Sequence, residues 1–126
     1  MATSQQPTKA ELQVLQVLWQ KGASTVREVH EILSKYQKTG YTTVLKIMQI
    51  MYDKSLVDRD ESARAHVYSA KITEADTQGV MVRDMISRVF KGSTSQMLVS
   101  ALNGKTSRQE IAEIRKVLNE LENNNK

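Results

Sequence analysis

Two helix-start signals near the N-terminus constrain the fold of this chain more than any other feature. Residues 8–11 and 25–28 both read Thr-x-x-Glu, a capping box in which two side chains bond the free backbone amides at the start of a helix. Each box is followed by apolar residues at steps of three and four, which indicates an amphipathic helix. We expect the first helix to end near Gly22 and the second near Tyr36. Ser24 is an alternative N-cap for the second helix.

The apolar period changes after a third helical stretch at residues 41–54. Residues 56–59 and 65–68 form two short runs that contain Val and Tyr, separated by a polar link. Such runs are typical of a two-stranded hairpin, although the link lacks an Asn-Gly turn signal. Three helices followed by a hairpin are the plan of a winged helix-turn-helix.

The remainder of the chain reads as helical. Residues 73–90 begin with Thr-x-x-Asp and carry a long apolar stripe. A break at residues 91–95 precedes a short helix that ends at residues 103–104. Residues 107–110 form a further capping box, and apolar residues continue from there to Leu121 at helical spacing.

These elements predict the fold class and two domains. We expect a mainly α protein with a small β-hairpin. Residues 1–71 are predicted to form a winged helix-turn-helix N-terminal domain, and residues 72–126 a helical C-terminal dimerisation domain. The chain has 126 residues, with one proline and five glycines, a composition that favours helices over a sandwich or barrel.

Composition and motifs exclude several classes of function. The sequence has no cysteine, so disulfides, thiolate metal sites and thiol catalysis are excluded. His30 and His66, the two histidines, lack partners at metal-ligand spacing. We found no arrangement of nucleophile, base and acid, and no glycine-rich phosphate loop. We therefore expect no metal, no cofactor and no enzymatic activity.

The sequence also lacks signals for membranes or export. No stretch reaches the roughly 18 consecutive apolar residues of a membrane span. Residues 1–9 lack the basic and apolar regions of a signal peptide. We therefore expect a cytoplasmic protein without membrane insertion.

The third helix separates into two faces at about 100° per residue. Its polar face carries Thr42, Lys46, Gln49 and Asp53, with Thr43 beside them. The opposite, apolar face is expected to pack in the core: Tyr41, Val44, Ile47, Met48, Met51 and Tyr52.

The polar face has the properties of a major-groove reader. An α-helix fits that groove, with its N-terminal residues near the base edges. Thr42 and Thr43 are short enough for close approach, and Lys46 can reach a guanine edge or a phosphate. Gln49 is a weaker candidate. Arg64 in the hairpin turn would meet phosphate or the minor groove. The net charge of +4 is compatible with such a polyanionic partner.

The residues alone leave two alternatives open. The polar face is the solvated side of a helical core, or the chain is a winged-helix protein-interaction module in which Thr42, Thr43 and Lys46 meet a protein partner. A repressor of an unrelated stress regulon is a third reading. The missing cysteines weigh against a metal or redox regulon.

In its order of motifs, the chain resembles the penicillinase-repressor family of bacterial regulators (the BlaI/MecI type) over residues 8–121. The segments VLQVLW, TVREVHEIL, GYTTVLKIMQIM, KSLVDRDESARAHVYSA and TSRQEIAEIRKVLNEL carry the resemblance. It implies a dimeric repressor that occupies a dyad-symmetric operator in double-stranded DNA, with β-lactam-response genes as the suggested targets. It also places five residues against DNA. Arg64 lies in the wing, and the other four lie in the reading helix: Tyr41, Thr42, Thr43 and Lys46.

The resemblance also implies how repression is relieved. The family's antibiotic-responsive members are cut at an Asn-Phe bond through a membrane sensor-protease system. The nearest equivalent bond here joins Ser100 and Ala101, a different dipeptide. The copper-responsive relatives carry C-terminal cysteines. This chain has none, so copper sensing is not expected.

Residues 72–126 hold three apolar helix faces, more than a small winged domain can cover. Pairing with a second copy would bury them in a large interface, whereas a monomer would have to fold the segment back on itself. The predicted interface comprises Val82, Met85, Ile86, Val89, Leu98, Leu102, Ile114, Leu118 and Leu121.

Overall fold

The computed structural model describes residues 6–125, which form helices and three short strands. Residues 1–5, part of the segment that we searched for a signal peptide, and Lys126 lie outside the described residues. The elements in chain order are α1 (Lys9–Lys21), β1 (Ser24–Thr25), α2 (Val26–Leu33), α3 (Tyr41–Asp53), β2 (Val57–Asp60), β3 (Val67–Ala70), α4 (Glu74–Val89), α5 (Thr94–Leu102) and α6 (Arg108–Asn124).

Both N-terminal capping boxes form as the sequence predicts. The Thr8 hydroxyl accepts from the Glu11 amide at 3.1 Å, and the Glu11 carboxylate accepts from the Thr8 amide at 2.9 Å. Thr25 caps α2 in the same way. Ser24, the alternative cap, is instead buried and donates its hydroxyl to the Gly22 carbonyl. The two predicted helix starts are therefore confirmed.

The ends of the first two helices follow from local backbone geometry. Gly22 ends α1 with a φ of 97°, in the left-handed region that favours glycine. The α2 helix ends at Leu33, and a tight turn continues beyond it, where the Tyr36 amide donates to the Leu33 carbonyl. The predicted end near Tyr36 thus includes this turn.

The hairpin forms, and a third strand joins it. The sheet is antiparallel with the order β1-β3-β2. In β2, Val57 pairs with Ala70 and Asp60 pairs with Val67, so the turn that connects the strands runs over residues 61–66. We call β2, β3 and this turn the wing. The strand β1 has two residues, too few for an alternating pattern to be read from sequence.

A single apolar cluster holds α1, α2, α3 and the sheet together. A fully buried aliphatic side chain contributes roughly 1.5–3 kcal/mol relative to an exposed one. The cluster consists of Val14, Leu15, Val17, Leu18, Val26, Val29, Leu33, Val44, Met48, Met51, Leu56, Val57 and Tyr68. Beside it, the Trp19 indole N–H donates to the Ile72 carbonyl at 2.9 Å. This bond fixes the segment that leads from the wing to α4.

Two residues of α3 do not pack in the core as expected. Tyr41 and Tyr52 are 46% and 37% exposed, whereas Val44, Met48 and Met51 are buried. Both tyrosines lie at the ends of the helix, where the core no longer covers its sides. Tyr41 meets the edge of the His30 ring, and Tyr52 is covered by the Arg59 guanidinium. The expectation that they are core residues was wrong.

The chain separates into two compact units, Met1–Arg83 and Asp84–Lys126. This division falls inside α4, whereas the predicted boundary between residues 71 and 72 falls just before it. The assignment of residues 1–71 to DNA binding and of residues 72–126 to dimerisation stays a prediction. In the second unit, none of the described residues is buried. Within residues 6–125, no helix combines the length and hydrophobicity needed to cross a membrane.

Candidate nucleic-acid interface

The outward side of α3 is polar and accessible. Thr42, Thr43 and Lys46 are all exposed. We call these three residues the outer face of α3. They lie opposite the buried Val44 and Met48, which anchor the helix from behind. The outer face therefore projects away from the core, as the sequence predicts.

The start of α3 leaves backbone donors free. Its N-cap is Gly40, which makes no side-chain hydrogen bond to the helix. The amides of the first turn therefore lack a capping acceptor. The turn before them is held by His30, whose Nε2 donates to the Thr39 carbonyl at 2.9 Å. His30 also meets Tyr41 edge-on, with ring centroids 5.9 Å apart. These contacts fix the position at which α3 begins.

A cleft of about 410 Å³ lies between α3, the start of α2 and the wing. It brings together three of the predicted site residues, Tyr41, Gln49 and Arg64. Its remaining lining residues are Thr25, Val26, Arg27, Leu45, Ala65, His66 and Tyr68. The outer face of α3 does not line the cleft but points out beside it. The predicted site thus consists of a projecting helix face and an adjacent groove that reaches Arg64.

Sequence reasoning missed two members of this cleft. Arg27 is an exposed residue in the first turn of α2, and its guanidinium lies 3.5 Å from Glu31 in an exposed ion pair. An arginine in the first turn of a predicted helix was the available signal for it. His66 was considered only as a metal ligand or a wing residue, and it is half-buried in the cleft wall.

The turn of the wing has its own local order. The Asp60 carboxylate accepts from the Ser62 amide at 2.9 Å. The hydrogen bonds from Ser62 lower the pKa of Asp60 below its usual value. Arg64, two residues further along, is exposed. The turn therefore presents a cation from an ordered support.

The C-terminal end of α3 is tied to α1 by an ion pair. The Lys54 ammonium lies 2.9 Å from both carboxylate oxygens of Glu11, which is 4% exposed. Because Lys54 is paired in this way, its charge compensates a buried carboxylate. Lys46 and Arg64 are exposed at this surface, and Arg27 is exposed within its ion pair with Glu31.

The electrostatics of the outer face favour an anionic partner near its N-terminal half. Lys46 lies one turn beyond Thr42, and Asp53 lies at the far end of the helix. Among residues 6–125, no group of three or more His, Asp or Glu side chains is placed to hold a metal ion. The groups that this surface offers a ligand are therefore threonine hydroxyls, backbone amides, and lysine and arginine side chains.

A model of the family described as penicillinase repressor matches residues 7–120. The chain belongs to the penicillinase repressor family. A penicillinase repressor from Bacillus licheniformis is 28% identical over 96% of this chain and 95% of its own length. The penicillinase repressor from Staphylococcus aureus is 24% identical over 89% of this chain and 90% of its own length.

A third relative is more similar over a shorter stretch. The transcriptional regulator BlaI from Mycobacterium tuberculosis is 34% identical over 86% of this chain and 80% of its own length. The predicted family is therefore confirmed. Each of the three relatives aligns with this chain over most of its own length. The similarity to the penicillinase repressor family therefore extends over both halves of the chain.

Solved structures confirm the fold class. A MarR family protein from Bacillus stearothermophilus superimposes with a TM-score of 0.55 at 19% identity, over 97% of this chain and 77% of that chain. The structure of hsRosR-S4 gives a TM-score of 0.54 at 16% identity, over 94% of this chain and 93% of that chain. This member of the penicillinase repressor family is thus a mainly helical, winged-helix protein.

The predicted dimerisation segment of this penicillinase repressor family chain, residues 72–126, exposes apolar side chains. Val82, Met85, Val89, Leu118 and Leu121 are exposed, Val89 to 65% and Leu121 to 53%. The other members of the predicted interface are half-buried: Ile86, Leu98, Leu102 and Ile114. Sequence reasoning left out three further exposed apolar residues: Val99, Ile111 and Val117. Ser100 and Ala101 are exposed within α5.

Proposed function

We propose that this chain is a homodimeric, sequence-specific repressor that binds a dyad-symmetric operator in double-stranded DNA. The observation that carries the proposal is the exposed outer face of α3 beside a cleft that ends at Arg64. Family membership supports it, because the curated relatives are named penicillinase repressor and transcriptional regulator. Such a function requires no catalytic step and no cofactor.

The dimensions of α3 suit the major groove. The helix has 13 residues and is about 20 Å long at 1.5 Å per residue, and an α-helix fits within the groove. Thr42 and Thr43 would bring hydroxyls to phosphates or bases and methyls to thymine. Lys46 would reach a guanine edge or a phosphate. The uncapped amides of the first turn, which follow Gly40, would hold a phosphate at the start of the helix.

The two sides of the cleft would flank the groove with positive charge. Arg64 extends from the wing, and Arg27 lies at the start of α2. Contacts to phosphate fix the register of a protein on the duplex, and the outer face of α3 can then read bases. Arg64 would meet the phosphate backbone or the adjacent minor groove.

Dimerisation would follow from the apolar side chains of the second unit. A monomer would leave Val89, Val99, Leu118 and Leu121 in water, an arrangement typical of an interaction surface. A second copy of the chain presents the same helices and would cover them in a two-fold arrangement. Two linked winged domains would bind a two-fold operator far more tightly than one, because the second contact is intramolecular.

We propose β-lactam-response genes as targets in the cytoplasm, with release by proteolysis near Ser100 and Ala101 through a membrane sensor-protease system. Family membership supports both the proposed target genes and the proposed release by proteolysis. The bond lies within α5, so cutting it would require local opening of that helix. Cleavage there would separate α6 from the rest of the chain. With α6 go three predicted interface residues, Ile114, Leu118 and Leu121, and pairing would weaken.

The salt dependence of DNA binding tests this proposal. A labelled duplex from the promoter of the protein's own gene is titrated with the protein at several salt concentrations. We expect the logarithm of the affinity to fall linearly with the logarithm of salt, at about 0.9 per phosphate contact. Undetectable binding, or binding that salt leaves unchanged, would contradict the proposal and favour a protein-interaction module.

A further inference from the structure

Arg59 joins the wing to α3 through contacts with three other residues. Its Nε donates to the Glu61 carboxylate at 2.7 Å, and a second guanidinium nitrogen forms an ion pair with the same group. The guanidinium carbon lies 3.9 Å from the centre of the Tyr52 ring on α3. Arg59 also pairs across the strands with the buried Tyr68. Side-chain hydrogen bonding with Tyr68, which has the larger effect, and with Glu61 raises the pKa of Arg59 above its usual value.

These contacts place Arg59 between the parts of the DNA-binding surface. Tyr52 belongs to α3, Glu61 begins the turn of the wing, and Tyr68 lies in the core. Stacking on Tyr52 fixes the plane of the guanidinium. The fork of donors toward Glu61 then fixes where the turn leaves β2. Arg59 thereby links the start of the turn to α3, in addition to the apolar cluster that packs α3 against the sheet.

We propose that Arg59 positions the wing relative to α3 and thereby places Arg64 against DNA. This inference rests on the proposed function. Arg64 is three residues beyond Glu61 and is exposed, whereas the Arg59 side chain is 21% exposed. Within the described residues, the other side-chain hydrogen bond of the turn joins Asp60 to Ser62. That bond orders the turn internally and does not reach α3.

The alternative role for Arg59 is a direct contact with phosphate, and a charge-retaining substitution separates the two. Lysine keeps the positive charge and can meet a phosphate as a point charge. It cannot stack as a plane on Tyr52 or donate to Glu61 as a fork. If Arg59 positions the wing, Arg59→Lys should weaken operator binding. If Arg59 only neutralises phosphate, the same change should have little effect.

The experiment measures operator affinity for the full-length protein and for Arg59→Lys, Arg64→Ala and the double variant. Arg88→Lys is the matched control, because Arg88 also donates to a nearby carboxylate, Asp84. We expect each of the two single wing variants to lose roughly tenfold in affinity. The double variant should bind no more weakly than Arg64→Ala alone, since positioning acts through Arg64. The control should bind as the unmodified protein does.

A second measurement reads the wing without DNA. Amide hydrogen exchange in residues 61–66 should accelerate in Arg59→Lys, while residues 41–53 keep their protection. Three results would each overturn the inference: unchanged affinity of Arg59→Lys, multiplicative losses in the double variant, or unchanged exchange in the turn. Failure of the unmodified protein to bind the operator would instead contradict the proposed function. Exchange in the turn would still test whether Arg59 orders the wing.

Discussion

At the scale of single residues, the candidate site depends on which cations already contact other side chains of the protein. Lys54 is held by Glu11, with both Nζ to carboxylate distances at 2.9 Å. Arg59 is held by Glu61 and Tyr52. Lys46 lies on the exposed outer face of α3, so its charge is free to meet a phosphate or a base edge. Cations of equal charge in this region therefore have different surroundings.

Replacing Lys46 by alanine tests its task directly. We expect Lys46→Ala to bind the operator roughly tenfold more weakly and, if it meets a phosphate, to lower the salt slope by about one. Alanine is a strong helix former, so the circular dichroism spectrum should be unchanged. Lys9→Ala is the matched control, because Lys9 is exposed at the start of α1. Normal binding by Lys46→Ala would remove Lys46 from the site.

At the scale of elements, local sequence signals predict the helices better than they predict the surface. The boxes at residues 8–11 and 25–28 determine two helix starts because each bond joins residues three apart. Tyr41 and Tyr52 were wrongly expected in the core because a helical wheel gives the direction of a side chain and not what covers it. Arg27 joins the cleft only through packing of α2 beside α3 and the wing, which no local pattern encodes.

The capping box of α2 makes stability depend on pH. The backbone hydrogen bond with Thr25, followed by the charge of Lys21, lowers the pKa of Glu28 from 4.5. A lowered folded-state pKa means that the charged form stabilises the fold above pH 4.5. This contribution is lost as the pH falls through the lower folded-state value.

We therefore expect Glu28→Gln to reduce the melting temperature near neutral pH, with the deficit shrinking below pH 4.5. Glutamine retains the shape of the box without its charge. Calorimetry across the acid range measures the difference between the two proteins. Thr25→Ala, which should cost about 1 kcal/mol as a lost cap, removes the hydroxyl but keeps the backbone amide that donates to Glu28 and is the main cause of the shift, so the same difference should persist in that background. A deficit that grows toward low pH would contradict this account.

At the scale of the whole molecule, the two compact units differ in how they bury apolar surface. The cluster around Leu15 and Met48 lies within the first unit. In the second unit, none of the described residues is buried, and Leu118 and Leu121 are exposed on α6. Sequence periodicity predicted these apolar faces. It could not show what covers them, because periodicity gives the direction of a side chain and not its partner.

A charge placed on α6 tests the dimer. We expect Leu118→Asp to sediment near the 14.3 kDa of one chain and the unmodified protein near twice that mass. Operator affinity should fall by about two orders of magnitude, since two sites no longer bind as one. Asn119→Asp adds the same charge at the neighbouring exposed position of α6 and should remain dimeric. A monomeric unmodified protein at micromolar concentration would contradict the dimer.

We propose that the outer face of α3 contacts bases while the wing contacts the DNA backbone beside it. The most direct measurement is an NMR titration of isotope-labelled protein with a cognate operator duplex. We predict that the largest amide shifts occur at residues 41–46 and 61–66, with little change in α5. If residues 42–46 keep their free-state shifts at saturating duplex, the outer face lies in solvent and the account is wrong.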